Sequence, residues 1–449
     1  MQNSIVVAES EEYMNKYAMV LILGALTVRP LQMYAAEVAG PAICESEPIK
    51  TSGTITAIGA YYEFEGEVIL EVSANGGSSY TKIINGSILK QGFIPGNQLR
   101  YRANIPKGSI LKNLVIGYED TSGASTLYKN SELANYKHNK GLYVSGAEKE
   151  LFNYPVKIEL GSQLSIIGYS NLANTEHRTP NAELDYSDIY FTAADGQTPL
   201  YYCVEDGLAY VKLPQIPKEG SVIYIYYNES SVSGSRLAVL GSDENRKPKT
   251  EHRNPAKVFL FYDDFNGEKL DDSKWLVRKG LKEDYELKDG YLRLRDTAII
   301  SRNFKLKDAI LEFKAKAQKD ASIQAIVRGE STSLFLFSLE QLVYSSEYPG
   351  AEHTIAINDI AKLNIGKPIK ADTDYIYKVI ANPQGIIFER YSSSYEKQAA
   401  IQFMDAGGLE KGYIGLKAGA SPYDEAASAY FDWIRVRPYC EIEPVVRGD

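Results

Sequence analysis

Apolar residues along this chain recur at every second position over short runs, and the runs are parted by Gly, Asn, Asp and Pro. A period of two sends alternate side chains to opposite faces of a strand, and a helical spacing is scarcely seen anywhere, so the pattern predicts an all-β protein. Val68-Ile69-Leu70-Glu71-Val72 and Tyr80-Thr81-Lys82-Ile83-Ile84 flank Asn75-Gly76-Gly77, residues that accept the positive φ a tight hairpin needs. Leu99-Arg100-Tyr101-Arg102-Ala103 and the stretch Leu111 to Tyr118 add strands on either side of Pro106-Lys107-Gly108. Together they predict a small β-sandwich over residues 45–123.

Between Thr121 and Glu132 the composition turns polar, which marks a boundary. A second sandwich is predicted over 133–240, with strands at Val156 to Leu160, Asp188 to Thr192, Ala209 to Leu213 and Ser221 to Tyr227. The charged stretch 241–257 reads as an exposed linker. A third sandwich follows over 258–440: Tyr285 to Leu287 and Tyr291 to Leu294 are joined by Asp289-Gly290, Ala309 to Ala315 alternates, and Tyr375 to Ile380 returns through Asn382-Pro383-Gln384-Gly385 to the run Ile386 to Arg390. Residues 441–449 are left as a tail; the closing Arg447-Gly448-Asp449, though it spells an adhesion tripeptide, is explained by chance.

Ahead of these modules an apolar run, Tyr17 to Val28, stands between Lys16 and Arg29-Pro30. It is too short to cross a hydrocarbon core of about 30 Å as a helix, so residues 1–36 are expected to act as a secretion signal. Glu9, Glu11 and Glu12 do not suit a basic leader, which points to Met14 as the start. The alternative is an uncleaved N-terminal anchor, the only membrane attachment expected. A net charge of -9 and the lack of any basic patch with interleaved aromatics argue against nucleic acid. Asn85 and Asn228 fit the glycosylation sequon. The three cysteines, Cys44, Cys203 and Cys440, are spread over the modules and are expected as thiols outside any disulfide, a Cys44–Cys440 bridge between meeting termini being the alternative. The four histidines share no metal-ligand spacing. Tyrosine is the outlier, 34 against 14 Phe, and reads chiefly as strand filler whose hydroxyl reaches water, with sugar stacking as the functional alternative.

The run Tyr186-Ser187-Asp188-Ile189-Tyr190-Phe191-Thr192-Ala193-Ala194-Asp195-Gly196-Gln197-Thr198-Pro199-Leu200, with Phe152-Asn153-Tyr154-Pro155-Val156 before it and Val211 to Pro217 after it, resembles the family called domain of unknown function 2341. That family occurs in secreted and surface proteins of bacteria and archaea, typically ahead of a concanavalin-like sandwich, and implies location and architecture but no chemistry. Phe261-Tyr262-Asp263-Asp264-Phe265, Leu270 to Trp275 and Ala429-Tyr430-Phe431-Asp432-Trp433-Ile434-Arg435-Val436-Arg437 resemble the brackets of a concanavalin-like (laminin G or glucanase-type) jelly roll, whose first and last strands lie side by side. This resemblance implies one structural calcium ion, for which Asp264 and Asp432 are the expected ligands. For carbohydrate the candidates are Tyr344, Tyr348 and Tyr423, expected in loops of the third module. Ser73-x-Asn75-x-Gly77-x-Ser79-Tyr80 looks like a single Asp-box hairpin of the kind repeated in sialidases; alone it reads as a structural turn.

Concanavalin-like glycosidases carry Glu-x-Asp-x-x-Glu on one strand. Glu183-Leu184-Asp185-Tyr186-Ser187-Asp188 fits only superficially: it ends in Asp, its outer carboxylates fall on opposite faces of a regular strand, and it lies in the wrong module. The expected function is therefore a secreted or cell-surface, non-enzymatic multidomain protein that binds a glycan or another surface protein. The alternatives are a structural subunit of a surface layer or filament and a polysaccharide-degrading glycosidase.

Overall fold

The computed structural model describes residues 5–7, 31–33, 38–160, 189–205, 207–227, 251–279, 284–319, 321–329, 343–347, 354–357, 360–363, 369–404, 411–420 and 427–448. Nearly every described element is a β-strand, and all sheet pairings between strands are antiparallel. The chain divides into two compact units, Met1–Asn254 with Ile442–Asp449, and Pro255–Glu441.

The first unit holds the first two predicted modules. In the first, the expected hairpin forms between Ile69–Ser73 and Thr81–Ile83, with Gly76 and Gly77 at φ 73 and 93. The Asp-box-like stretch is a structural turn: the Asn75 side chain accepts from the Ser79 backbone N–H at 3.0 Å and donates to Ser79 Oγ at 2.9 Å. One sheet also contains Ala42–Ser46 and Gln98–Ile105 and the other pairs Ile55–Glu65 with Ile110–Asp120. Ile58, Tyr62, Leu70, Val72, Leu99, Ile105 and Leu114 fill the core between them. At the N-terminus, Ile5–Val7 pairs with the Ala42–Ser46 strand and Leu31–Met33 with Ile110–Asp120, while the apolar run Tyr17 to Val28 lies outside the described residues.

The second module has a three-stranded sheet, Leu151–Glu159, Leu208–Ile216 and Tyr202–Glu205, and a four-stranded one in the order Ile189–Thr192, Ser221–Tyr227, His138–Val144, Val446–Gly448. The last of these departs from expectation. Instead of trailing as a tail, residues 446–448 return to pair with Leu142–Val144, so the second unit is an insertion between two parts of the first. Of the predicted linker 241–257, residues 241–250 lie outside the described residues; its C-terminal part is anchored, since Tyr202 N–H donates to His252 O at 2.8 Å and Asn254 N–H to Tyr202 O at 3.0 Å. Backbone pairing satisfies groups that would otherwise need water, which is why both crossings sit against a strand.

The second unit packs two large sheets around Trp275, Leu292, Leu311, Phe313, Val379, Leu416, Phe431 and Ile434. As the bracketing motifs predicted, Phe261–Asp263 and Ala429–Pro438 lie side by side, Phe261 opposite Val436. Asp263 holds the opening motif together: Oδ2 accepts from Trp275 Nε1 at 2.8 Å and Oδ1 from the Phe265 N–H at 3.0 Å. The N–H of a buried Trp usually finds such an acceptor, and Asp263 supplies it here. The hairpin at Asp289-Gly290 forms with φ 53 and 75, the two positive values a tight turn demands.

No disulfide joins the cysteines; all three are buried, Cys203 in a strand as expected. Asn85 is only 4% exposed, donating from Nδ2 to Tyr62 O at 2.6 Å and accepting at Oδ1 from Tyr62 N–H at 3.0 Å. Its sequon is therefore a folding device, since the nitrogen that would carry a glycan is buried in a backbone bond. Asn228 lies outside the described residues.

Candidate binding groove

The larger sheet of the second unit has a core face and an outer face, and the alternation of its strands decides which residue goes where. Along Ala309–Ala317, residues Leu311, Phe313 and Ala315 turn inward, leaving Glu312, Lys314 and Lys316 outside; along Tyr291–Leu294, Leu292 and Leu294 turn inward, leaving Tyr291 and Arg293 outside. On Ala429–Pro438 the register shifts between Lys314 and Ala315, so Asp432 sits in a bulge, and Tyr430, Trp433, Arg435 and Arg437 share the outer face.

At one end of this face a groove of about 360 Å³ is lined by Glu286, Lys288, Asp289, Tyr291, Arg293, Lys316, Asp372 and Tyr430. Tyr291 and Tyr430 meet edge to face, ring centres 6.4 Å apart. Lys316 Nζ lies 4.3 Å from the centre of the Tyr291 ring and 5.9 Å from that of Tyr430, so the ammonium is held by two π faces. Arg293 pairs with Glu286 at 3.2 Å, and its Nε is buried without a hydrogen-bond partner. Tyr291 donates to Asp374 Oδ2 at 3.4 Å; burial, Asp374 and Asp432 together push its phenol up. The arrangement offers ring edges, fixed donors and fixed acceptors within one recess, the equipment of a polar small-molecule or glycan site.

At the other end the same face is closed. Glu312, Arg435 and Arg437 are buried, with Arg435 Nε donating to Glu312 Oε2 at 2.8 Å and Arg437 at 3.5 Å from Oε1. Arg435 is stacked on Trp433 at 4.3 Å and faces Phe259 at 5.4 Å. Burial would raise the Glu312 carboxyl, but the two guanidinium groups outweigh it and hold its pKa down at about 2. Such a carboxylate is locked as an anion and cannot serve as a proton donor.

The residues singled out from sequence fare differently. Tyr344 falls not in a loop but in the strand Val343–Glu347, opposite Ile326 and Ala356. A strand forms because Val343-Tyr344-Ser345-Ser346 carries β-formers without a breaker. Tyr348, Tyr423 and the acidic run Glu183 to Asp188 lie outside the described residues. Of the expected calcium ligands, Asp432 is 2.8 Å from Lys314 Nζ, and Asp264 Oδ1 accepts from the Asn266 N–H at 3.3 Å. Among the described residues no group of three His, Cys, Asp or Glu gathers; the expected calcium ion would need backbone carbonyls beside Asp264 and Asp432. Sequence reading missed Tyr291 and Tyr430. The available signal was their place as outward positions in strands whose neighbours Leu292 and Phe431 face the core.

The motif Asp195-Gly196-Gln197-Thr198 proves to be a joint. Asp195 Oδ1 accepts from the N–H groups of Gln197 and Thr198 at 2.9 and 2.8 Å, while Asp195 N–H donates to Gly86 O of the first module at 2.8 Å. A Cβ on Gly86 would stand 2.4 Å from that of Ala193, so only glycine permits the approach.

No family model matches the chain, and no curated protein does. The resemblance of residues 133–227 to domain of unknown function 2341 gains no support there. Similar solved structures include a prokaryotic β-1,3-1,4-glucanase (lichenase) derived from a mouse hindgut metagenome, 15% identical over 40% of this chain and 99% of that chain with a TM-score of 0.32. A β-glucanase of Bacillus licheniformis is 12% identical over 40% and 98%, TM-score 0.31. A carbohydrate binding module from Bacillus subtilis is 13% identical over 37% and 96%, TM-score 0.28. At these identities and scores they carry no functional argument.

Proposed function

We propose that this is an exported or cell-surface binding protein, without turnover, whose second unit is a glycan-recognising sandwich. The observation that supports recognition is the groove: Tyr291 and Tyr430 form an aromatic wall, and Lys316 and Arg293 are held in place beside it by ring faces and by Glu286. The reading without turnover is supported by the sequence, whose glycosidase-like carboxylate run, Glu183 to Asp188, ends in Asp and lies ahead of the second unit. Export is supported by the short apolar run near the N-terminus; among the described residues no helix is long and apolar enough to cross a membrane.

The test is a glycan array probed with the full chain, followed by calorimetry on any hit. Replacing Tyr291 and Tyr430 together by Ala is expected to reduce affinity at least tenfold with the fold intact by circular dichroism. Unchanged affinity in that variant would place the binding surface elsewhere, and release of reducing sugar by the wild-type protein would overturn the non-enzymatic reading.

A further inference from the structure

We propose that the groove selects an uncharged glycan segment over acidic or basic ones, with Arg293, Lys316 and Asp372 as the selecting side chains; this rests on the glycan reading above. The lining carries three carboxylates, Glu286, Asp289 and Asp372, against three cations, Lys288, Arg293 and Lys316, so its formal charges cancel. A site for a polyanion concentrates Lys and Arg and excludes carboxylates, because each like charge met on entry costs binding energy. Here any ionic ligand meets both signs. A sugar hydroxyl, in contrast, both donates and accepts; ammonium and guanidinium groups donate only and carboxylates accept only, so interspersing the two satisfies neutral hydroxyls from both sides.

The polar groups are also held in position before any ligand arrives. Lys316 is seated over Tyr291, Arg293 is fixed by Glu286, and its buried Nε lacks a protein partner. Asp289 occupies the first positive-φ position of the hairpin turn, and Asp372, itself at φ 54, is tied by its N–H to Ala317 O at 2.8 Å. Side chains borne on strands and pinned turns lose little freedom on binding, which favours a weakly interacting neutral ligand. The volume of about 360 Å³ lies toward the small end of ligand sites, which suits a short segment of one or two sugar units.

Calorimetry with the full chain tests this, using cellotriose, laminaritriose and maltotriose as neutral probes and oligogalacturonate and a heparin tetrasaccharide as anionic ones. The expected result is binding of at least one neutral probe with an affinity that changes less than about twofold as salt is raised to ~1 M, where screening is nearly complete. Lys316→Ala and Asp372→Asn should each weaken it about tenfold; Asn tolerates the positive φ at position 372, so that change tests charge and not backbone. Binding confined to the anionic probes and lost in salt overturns neutral selection but leaves glycan recognition standing. Neutral binding that neither variant alters also overturns the proposal, whereas failure of every glycan on a broad array overturns the glycan reading itself.

Discussion

Two ends of one sheet face, built from the same pair of strands, reach opposite solutions for charged residues. Where Lys316 stands opposite Tyr430 the face is open and forms the groove; where Glu312 stands opposite Arg435 it is dry. Trp433 and Tyr395, which both contact Arg435, supply part of the difference, and residues ahead of the first strand supply another part. Phe259, 4% exposed and following the short helical turn Pro255–Val258, lies against Arg435 and shields the ion cluster. With a lid, charges must pair fully or cost several kcal/mol each; without one, they remain available to a ligand.

The largest expected effect breaks the closed end. Glu312→Gln removes the carboxylate that faces buried Arg435 and Arg437 and should destabilise the second unit by about 3–5 kcal/mol in urea unfolding. Replacing the lid, Phe259→Ala, is expected to cost about 3 kcal/mol and to admit water to the cluster, read as faster hydrogen exchange in Ala429–Pro438. The pH dependence has a definite sign. Because the Glu312 carboxyl is held below its ordinary 4.5, at about 2, the unfolded chain binds the proton first; its contribution is complete above about 4.5 and is lost as pH falls toward 2. Unfolding midpoints followed over that window should fall in the wild-type protein and fall less steeply in Glu312→Gln; parallel curves would sink the assignment. The smallest effect is expected between the two ends, where Lys314 and Asp432 are partly exposed at 19% and 28%. Lys314→Ala should change stability by about 1 kcal/mol or less.

How much of this could be read from residues alone varies from element to element. The hairpins at Asn75-Gly76-Gly77 and Asp289-Gly290 were legible because turn chemistry and flanking alternation are local. The strand Ile55–Glu65 was not. Its Ala57, Gly59 and Ala60 blur the period of two; a Cβ on Gly59 would come within 2.8 Å of the end of the Leu127 side chain, which would have to shift. At Tyr344 the nearby Pro349-Gly350 signals a turn and masks the β-forming Val343-Tyr344 that enters the strand. The groove was illegible for a different reason: its residues span positions 286 to 430 and share a recess only after four strands have paired in register.

What the chain determined by itself is its class and punctuation: alternating side chains commit short segments to strands, and Gly, Asn and Asp at positive φ end them. Tertiary structure alone decided that residues 446–448 return to the second module, that Asn85 is buried against Tyr62, and that one row of charges is sealed while its continuation is open. Each of those outcomes depends on which distant strand or lid arrives beside a residue. A pattern with a period of two specifies a face, and carries no information about what will cover it.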